Sequence, residues 1–382
     1  MINYTAELLA LKGNGNLRTL PKVSHLGKFI IEDKKKMLNL SSNDYLGLAI
    51  REDWRKEFMA SKEAASLPLS SSSSRLLTGN FKIYNALEKD IARAYKHESC
   101  LLFNSGYHAN IGLLPALTDR RSLILADRLV HASIIDGIRL SGSTFQRYKH
   151  NDLDHLEKLL DKSYRVYDRI FVVTESIFSM DGDVTDLKRL VQLKKKYKNI
   201  MLYVDEAHAV GIRGEKGLGI AEELDVVKDI DILVGTFGKA LASMGAFVVC
   251  EKDIYDYLIN SMRSFIFSTA LPPFQVAWSR FIFNRLSLLS DEREQLKKVS
   301  NRLCKALDGK GGEISNSHII PLIIGENAAA ARTSDRLRKG GFYCLPVRPP
   351  TVPKGTARIR FSLTATITEK EISQLIQLLN TL

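Results

Sequence analysis

Residues 169–211 read RIFVVTESIFSMDGDVTDLKRLVQLKKKYKNIMLYVDEAHAVG. Two apolar, β-rich runs, RIFVVTES (169–176) and IMLYVDEA (200–207), enclose the amphipathic segment DLKRLVQLKKKY (186–197). Near-continuous apolar strands separated by helices are typical of a largely parallel sheet. The stretch therefore predicts a strand–helix–strand unit within an α/β domain.

Further runs of the same kind extend this unit into a larger sheet. The additional predicted strands are CLLFNSG (100–106), SLILAD (122–127), DILVGTF (231–237) and AFVVCE (246–251). Open α/β sheets bind ligands at the carboxyl ends of their strands. The polar residues at those ends are therefore the first candidates for a functional site.

The pattern changes after LPP at 271–273. A long helical stretch precedes two predicted strands, HIIPLIIG (318–325) and ARIRFSLTA (357–365). The last helix opens with the capping-box spacing of Thr368 and Glu371. We predict three parts: an N-terminal segment (1–45), a large domain with a mostly parallel central sheet (46–285) and a smaller α+β C-terminal domain (286–382).

The composition is that of an ordinary globular protein, since 45% of the 382 residues are hydrophobic and 26% are charged. No apolar stretch approaches the roughly 20 residues that cross a bilayer, and the N-terminus lacks the pattern of a secretion signal. The four cysteines lie far apart without metal-ligand spacing, which argues against a structural zinc and a disulfide framework. We expect a cytoplasmic protein with no metal site.

The formal net charge is +12, with short basic clusters at 34–36 and 194–198. A basic excess can attract nucleic acid, membranes or acidic proteins. The lysines and arginines are spread along the chain and form no stripe interleaved with aromatic residues, which argues against nucleic acid binding. A docking face for an acidic carrier protein is the favoured alternative.

Three polar residues at strand ends indicate a specific chemistry. Lys239 lies just beyond a buried strand in DILVGTFGKALASMGAF (231–247), and Asp205 and His208 end another in YVDEAHAVG (203–211). Taken singly, they could be a surface lysine, an acidic turn residue and a hydrogen-bonded core histidine. Together they match pyridoxal phosphate (PLP). Its aldehyde needs an amine, its pyridine nitrogen a carboxylate, and its ring hydroxyl a hydrogen-bond partner.

The phosphate of PLP requires hydroxyl groups and backbone amides at a helix N-terminus, and its ring needs a flat partner. Candidates lie at strand ends and helix starts: Ser105, Gly106 and Tyr107 in FNSGYHAN (103–110), Ser179 in ESIFSMDGD (175–183), Thr236 and, for stacking on the ring, His131. Their alternative interpretations are an ordinary turn, plain strand-end residues and a helix-start histidine.

These segments, together with LNLSSNDYLGL (38–48) and RPPTVPKGTARIRFSLTA (348–365), occur in the order typical of the α-oxoamine synthases. The chain resembles that family over nearly its whole length. The resemblance implies a fold-type I PLP enzyme of the class-II aminotransferase family. Such an enzyme joins an amino acid to an acyl thioester with loss of CO2, and it is a homodimer with shared active sites.

Within the family, RPPTVPKGTARIR (348–360) looks most like the members that serve biotin biosynthesis. Those members join L-alanine to a pimeloyl thioester of acyl carrier protein or coenzyme A. Glycine C-acetyltransferase, 5-aminolevulinate synthase and serine palmitoyltransferase share the chemistry and remain alternatives.

The resemblance gives each candidate a role at the cofactor. Lys239 binds PLP covalently and shuttles the α-proton of the substrate, Asp205 pairs with the pyridine nitrogen, and His208 contacts the ring oxygen. The other cofactor residues are His131, which stacks on the ring and touches substrate, Glu175 near the ring, and Gly106, Tyr107, Ser179 and Thr236.

The resemblance also implies substrate contacts and a shared site. Asn43 and Arg348 orient the carboxylate of the amino acid, and an arginine fork suits that task because it binds carboxylates bidentately. Thr351 lies near the acyl substrate, and Arg18 reaches the acyl chain. Thr269, in IFSTALPP (266–273), contacts the phosphate bound by the neighbouring subunit.

The chain departs from the family pattern in three places. The usual glycine-rich stretch before the predicted helix that contains Leu87 and Glu88 reads SSSSRLLTGN (71–80), and Tyr84, three residues before Leu87, replaces a family histidine. The serine run Ser70–Ser74 is too short for a disordered linker and is predicted to be a tight loop. The loop after Lys239, ALASMGAF (240–247), contains less glycine than in many relatives. We expect these changes to affect local loop shape and substrate preference, and not the cofactor contacts.

Overall fold

A computed structural model describes residues 3–308 and 315–381 of the chain. The strands are β1 (Ser24–Leu26), β2 (Phe29–Glu32), β3 (Lys35–Asn39), β4 (Ser99–Phe103), β5 (Ser122–Asp127), β6 (Thr144–Tyr148), β7 (Arg169–Glu175), β8 (Ile200–Asp205), β9 (Ile232–Thr236), β10 (Ala246–Cys250), β11 (Ile319–Gly325), β12 (Phe342–Tyr343), β13 (Pro346–Val347) and β14 (Ala357–Ser362). The helices are α1 (Tyr4–Gly13), α2 (Glu52–Met59), α3 (Lys62–Ser66), α4 (Lys82–Ala94), α5 (Gly106–Leu117), α6 (Ala132–Ser141), α7 (Leu153–Ser163), α8 (Leu187–Lys196), α9 (Ile220–Glu223), α10 (Lys252–Ser261), α11 (Arg263–Ile266), α12 (Pro273–Phe283), α13 (Ser290–Leu307), α14 (Asn327–Lys339) and α15 (Glu369–Leu379).

The chain divides into two compact units. Unit 1 comprises residues 1–50, 179–183 and 292–382, and unit 2 comprises residues 51–178 and 184–291. The sequence predicts a separate N-terminal segment at residues 1–45 and a C-terminal domain at 286–382. In the structure, residues 1–50 and 292–382 belong to the same compact unit.

Unit 2 contains a seven-stranded sheet in the order β4-β10-β9-β8-β7-β5-β6. The strands from β9 to β6 are parallel, and β10 is antiparallel to both β9 and β4. All six residues of β5 are buried, as expected for a strand covered on both faces. The predicted α/β fold with a mostly parallel central sheet is confirmed.

The sequence did not reveal β6, the strand at one edge of this sheet. It pairs with β5 alone, and only Tyr148 of its five residues is buried. An edge strand with little buried surface shows no apolar run in its sequence, because its exposed positions accept polar residues.

Unit 1 contains two small sheets, β1-β2-β3-β12 and β11-β14-β13. In the first, β12 pairs in parallel with β3, so that Phe342 lies opposite Leu38. The last helix, α15, begins with the predicted capping box of Thr368 and Glu371.

The loop of residues 179–183 packs within unit 1, although it interrupts the sequence of unit 2. Asp181 forms a largely buried ion pair with Arg358 of β14, and Ser315 Oγ donates to the Gly182 carbonyl at 3.1 Å. Gly182 has a φ of +72°, and a Cβ there would lie 1.9 Å from the Ile319 carbonyl oxygen. Only glycine fits this turn.

None of the helices among the described residues is both long enough and apolar enough to span a bilayer. The four cysteines are free thiols.

Candidate active site

Parallel strands bring three polar side chains to one edge of the unit 2 sheet. Strands β7, β8 and β9 end at Glu175, Asp205 and Thr236, and the register sets Glu175 opposite Asp205. Both carboxyl groups are buried, with Glu175 3% and Asp205 5% exposed. The carboxyl edge therefore holds two acids that water barely reaches.

Lys239 meets His208 at this edge. The Lys239 Nζ lies 2.8 Å from His208 Nε2. Lys239 sits in a tight turn after β9, closed by a hydrogen bond from the Ala242 amide to the Lys239 carbonyl (2.9 Å). The structure thus brings together the amine and the imidazole that the sequence places on separate strand ends.

The Asp205 carboxylate is held by two donors. Asn110 Nδ2 donates to Oδ2 at 2.9 Å, and the Ala207 amide donates to Oδ1 at 2.9 Å. Asn110 also donates to Ser133 Oγ (3.0 Å) and accepts from the Tyr203 hydroxyl (2.5 Å). Since Asn110 is only 2% exposed, it fixes the carboxylate inside the protein.

Sequence reasoning missed Asn110, although FNSGYHAN (103–110) ends with it. The available signal was its position: an asparagine at the start of the apolar run ANIGLLPAL (109–117). A buried amide in such a place needs partners, and here one of them is the site carboxylate.

Glu175 and His131 are joined through the backbone. The His131 amide donates to Glu175 Oε1 at 2.6 Å, and the His131 ring accepts the Ser133 amide (3.2 Å) as the N-cap of α6. Burial raises the pKa of Glu175 well above its usual range, and the nearby Asp205 charge acts in the same direction.

The His131 side chain is partly open to solvent, but the protein atoms around it shield the ring from water. This partial burial lowers the pKa of His131. The Lys239 charge lowers it further, whereas Asp205 opposes the shift. A neutral, flat ring at the edge of the site suits stacking on a ligand.

Glu206 follows Asp205 in sequence but serves the loop beside the site. It accepts hydrogen bonds from Ser176 Oγ (2.6 Å), the Ala221 amide (2.7 Å) and the Ile220 amide (3.1 Å), and so anchors the start of α9. Its complete burial raises its pKa to about 7.

The start of α5 offers an anion site. Ser105 caps the helix by accepting from the His108 amide (3.1 Å), and the first amides of a helix have no partner within it. A Cβ at Gly106 would meet no atom within 4 Å, so space lies open beside this residue. Tyr107 is 46% exposed, and its hydroxyl donates to Asp136 at 2.5 Å.

Thr236 braces the lysine loop. Its hydroxyl donates to the Gly245 carbonyl (3.0 Å) and accepts from the Gly238 amide (3.1 Å). These two bonds fix the turn that leads from β9 to Lys239.

Of the five residues predicted to bind substrate, His131 lies in unit 2 and the other four lie in unit 1, where they form two separate groups of contacts. Arg348 donates to the Gly15 carbonyl, and Arg18 Nη2 donates to Thr351 Oγ1 at 2.9 Å. Asn43, by contrast, lies beside Arg360, whose Nη1 and Nη2 are each 3.4 Å from Asn43 Oδ1.

Arg360 is the second residue that sequence reasoning missed. Its Nε donates to the Ser179 carbonyl at 2.5 Å, so the guanidinium gathers Asn43 and Ser179 within unit 1. ARIRFSLTA (357–365) is predicted from the sequence as a strand and as part of the family motif, with no separate role for Arg360. The signal was an arginine within a strand whose other residues are buried, because such a charge needs a partner or a ligand.

The donor set at the sheet edge fits PLP. It provides an amine against an imidazole, a buried carboxylate with fixed orientation, and a helix start with open space beside its first residue. These are the groups that bind an aldehyde, a pyridine nitrogen and a phosphate.

Comparisons with known proteins agree with this fit. The family profile described as Aminotransferase class I and II matches residues 35–379. An 8-amino-7-oxononanoate synthase of Haemophilus ducreyi is 55% identical over 387 residues, which cover 98% of this chain and 99% of that protein.

Two solved structures share the fold. A serine palmitoyltransferase variant from S. paucimobilis, solved with a bound PLP–myriocin aldimine, has a TM-score of 0.89 at 27% identity and covers 99% of this chain and 96% of its own. An 8-amino-7-oxononanoate synthase from Francisella tularensis has a TM-score of 0.76 at 28% identity, covering 90% of this chain and 97% of its own.

Proposed function

The chain belongs to the class I and II aminotransferase family and, within it, to the PLP-dependent α-oxoamine synthases, and on this premise we propose that it forms 8-amino-7-oxononanoate. The reaction joins L-alanine to pimeloyl-[acyl-carrier protein] or pimeloyl-CoA with release of CO2 and the free carrier, as a step of biotin biosynthesis. The observation that supports the substrates is the 55% identity to a synthase of that name over almost the whole chain.

The cofactor is PLP, and the protein is a PLP-dependent acyltransferase. When bound, PLP supplies an aldehyde that joins an amine and a cationic ring that delocalises the electrons left by a departing proton. Lys239 provides the amine and then moves the α-proton of alanine. The Nζ of Lys239 must be neutral for both tasks. His208, whose Nε2 lies 2.8 Å from this Nζ, is placed to hold the amine in position after the first task and before the second.

Asp205 is the proposed counterion of the pyridine nitrogen. A buried carboxylate stabilises the protonated nitrogen because little water screens the pair. Asn110 and the Ala207 amide keep the carboxylate from rotating, so its charge stays directed at one point. His131 is proposed to stack on the ring, and the α5 amides at Gly106 and Tyr107 to bind the phosphate.

Arg360 is our proposed partner for the alanine carboxylate, together with Asn43. The guanidinium already lies 3.4 Å from the Asn43 amide oxygen, and it is half-buried, which strengthens a bidentate ion pair. Arg348 donates a hydrogen bond to the Gly15 carbonyl instead. We propose that it acts with Arg18 and Thr351, which hydrogen-bond to each other, at the acyl substrate. Ser179 joins the Arg360 group through its carbonyl.

Exposed apolar side chains in unit 2 support the proposed homodimer. Leu69, Leu77 and Phe267 are 76%, 78% and 71% exposed in the single chain, and they flank the serine run and Thr269. Large apolar side chains grouped around polar segments mark interfaces. A partner that covers them would meet Thr269, which is itself exposed.

Product identification tests the proposal. Purified enzyme with PLP, L-alanine and pimeloyl thioester should give 8-amino-7-oxononanoate by mass spectrometry, and Lys239→Ala should give none. The panel includes glycine and serine with acetyl, succinyl and palmitoyl thioesters. Faster turnover of any of those pairs would refute the alanine and pimeloyl assignment while leaving the α-oxoamine synthase chemistry intact.

A further inference from the structure

Three consecutive backbone carbonyls in unit 2 each accept a hydrogen bond from a side chain. They belong to residues 269–271, between α11 and α12. The pairs are Asn104 Nδ2 to the Thr269 carbonyl (2.8 Å), Ser71 Oγ to the Ala270 carbonyl (2.9 Å) and the Tyr84 hydroxyl to the Leu271 carbonyl. Loop carbonyls usually face water, so this arrangement holds a short segment in one conformation.

The backbone of the same segment pairs with the serine run. Thr269 forms an isolated antiparallel bridge with Ser74, and the Ala270 amide donates to the Ser73 carbonyl at 3.0 Å. The serine run is itself a tight loop, because a Cβ at Gly79 would lie 2.3 Å from the Ser73 carbonyl oxygen. Two of the departures from the family pattern, the serine run and Tyr84, therefore meet on one segment.

Tyr84 is well suited to hold this position. It is 1% exposed, and the Arg75 guanidinium stacks 4.9 Å from its ring centre. Arg75 in turn pairs with Glu88, which also accepts from the Leu102 amide (3.0 Å) at β4. Burial raises the pKa of Tyr84 to about 12, so its hydroxyl remains a donor throughout the neutral range.

We propose that Tyr84, Ser71 and Asn104 are positioning residues that fix Thr269 for the phosphate of the cofactor in the partner subunit. The inference rests on the proposed function, since it takes the shared dimeric site from there. A ring hydroxyl at Tyr84 supplies the donor that the histidine at this position in the family can supply through its N–H. A phosphate contact from a loop needs such support, because a shift of 1 Å breaks a hydrogen bond.

The test compares Tyr84→Phe with a matched control, Tyr95→Phe. Tyr95 is 3% exposed, and its hydroxyl donates to the Leu218 carbonyl at 2.7 Å, so both variants lose one buried tyrosine-to-carbonyl bond. Two quantities are measured: the PLP dissociation constant by absorbance titration, and amide hydrogen exchange of residues 268–271 in the apoenzyme.

We expect Tyr84→Phe to raise the PLP dissociation constant about fivefold and to speed amide exchange in residues 268–271, as loss of one hydrogen bond implies. Tyr95→Phe should change neither, and Tyr84→His should recover most of the affinity. Adding Tyr84→Phe to Thr269→Ala should weaken PLP binding no further, because the two act on one contact.

Equal effects of Tyr84→Phe and Tyr95→Phe, or additive effects of Tyr84→Phe and Thr269→Ala, would overturn the proposal. Unchanged PLP affinity in Thr269→Ala would overturn it as well. If Tyr84→Phe does not fold, Ser71→Ala removes the bonds to the Ala270 and Ser73 carbonyls and carries the same test. All of these readouts omit the substrates, so a failure of the proposed reaction would show separately in the product assay.

Discussion

Replacing Asn110 by alanine removes one buried side chain that holds three others at the site. Its amide donates to Asp205 (2.9 Å) and Ser133 (3.0 Å) and accepts from the Tyr203 hydroxyl (2.5 Å). The bond to the carboxylate contributes about 2 kcal/mol, and a buried hydroxyl left without its acceptor costs about 1–3 kcal/mol. We therefore expect the free energy of unfolding of the apoenzyme to fall by about 3–5 kcal/mol.

The effect on the cofactor is separate from the effect on stability. With Asn110 gone, the Ala207 amide is the remaining donor described for Asp205, and the carboxylate can rotate about it. We expect the PLP dissociation constant to rise about tenfold, which corresponds to about 1.4 kcal/mol of lost interaction.

Denaturant unfolding followed by circular dichroism measures the first quantity, and absorbance titration with PLP measures the second. Asn199→Ala is the control: its amide donates to the Tyr164 and Tyr167 carbonyls (3.0 and 2.8 Å) just before β8, at the opposite end of that strand from Asp205. That variant should lose stability and keep its PLP affinity. If Asn110→Ala also kept wild-type PLP affinity, the assignment of Asn110 as the group that orients Asp205 would be refuted.

Three further predictions concern substrate, pH and charge. Arg360→Lys should raise the KM for alanine at least about tenfold, because an ammonium cannot bind a carboxylate bidentately, whereas Arg348→Lys should change it by less than about twofold; steady-state kinetics with varied alanine decides between them. Glu206 has a pKa raised from 4.5 to about 7 on folding, so the folded state binds its proton more tightly, and stability should fall as the pH rises from 4.5 through 7. In Glu206→Gln this loss, about 3 kcal/mol at most, should disappear from unfolding curves measured between pH 5 and 8; an unchanged slope would contradict the assignment. If the basic residues at 34–36 dock an acidic carrier, the KM for the carrier thioester should rise steeply with ionic strength, and a flat response would count against docking.

The second basic cluster of the sequence has a different explanation. Lys194 pairs with Asp231 (2.6 Å), Lys195 with Asp229 (3.6 Å) and Lys196 with Glu157 (2.7 Å). Local acids therefore compensate these charges within unit 2. A lysine cluster in a sequence therefore does not by itself indicate a positive surface, because folding can bring acidic side chains from other segments beside it.

Most of the central sheet could be predicted because β4, β5, β9 and β10 are buried along their whole length. Such strands need mostly apolar side chains on both faces, and the local sequence shows this directly as a near-continuous apolar run. Lys239, Asp205 and His208 could be identified for the same local reason, since Asp205 ends a largely buried strand and His208 and Lys239 follow such strands within three residues. Strand β6 was not predicted because four of its five residues are exposed and need not be apolar.

What could not be predicted depends on contacts between distant parts of the chain. Arg360 and Arg348 look alike in sequence, and only the fold sets one beside Asn43 and the other beside Gly15. The role of Asn110 likewise depends on its hydrogen bonds to Tyr203 and Asp205, which lie on a strand more than 90 residues later in the chain. Side chains whose roles come from tertiary hydrogen bonds leave no periodic signal.

The split of unit 1 into three chain segments sets an order for folding during synthesis. All seven strands of the unit 2 sheet lie between Ser99 and Cys250, so this sheet can form while the ribosome is still translating the last third of the message. Strand β3 leaves the ribosome early but must wait for β12, at Phe342–Tyr343, to complete its sheet. Until then the first fifty residues and the 179–183 loop lack their final packing partners, and this interval is when a nascent chain has most need of a chaperone.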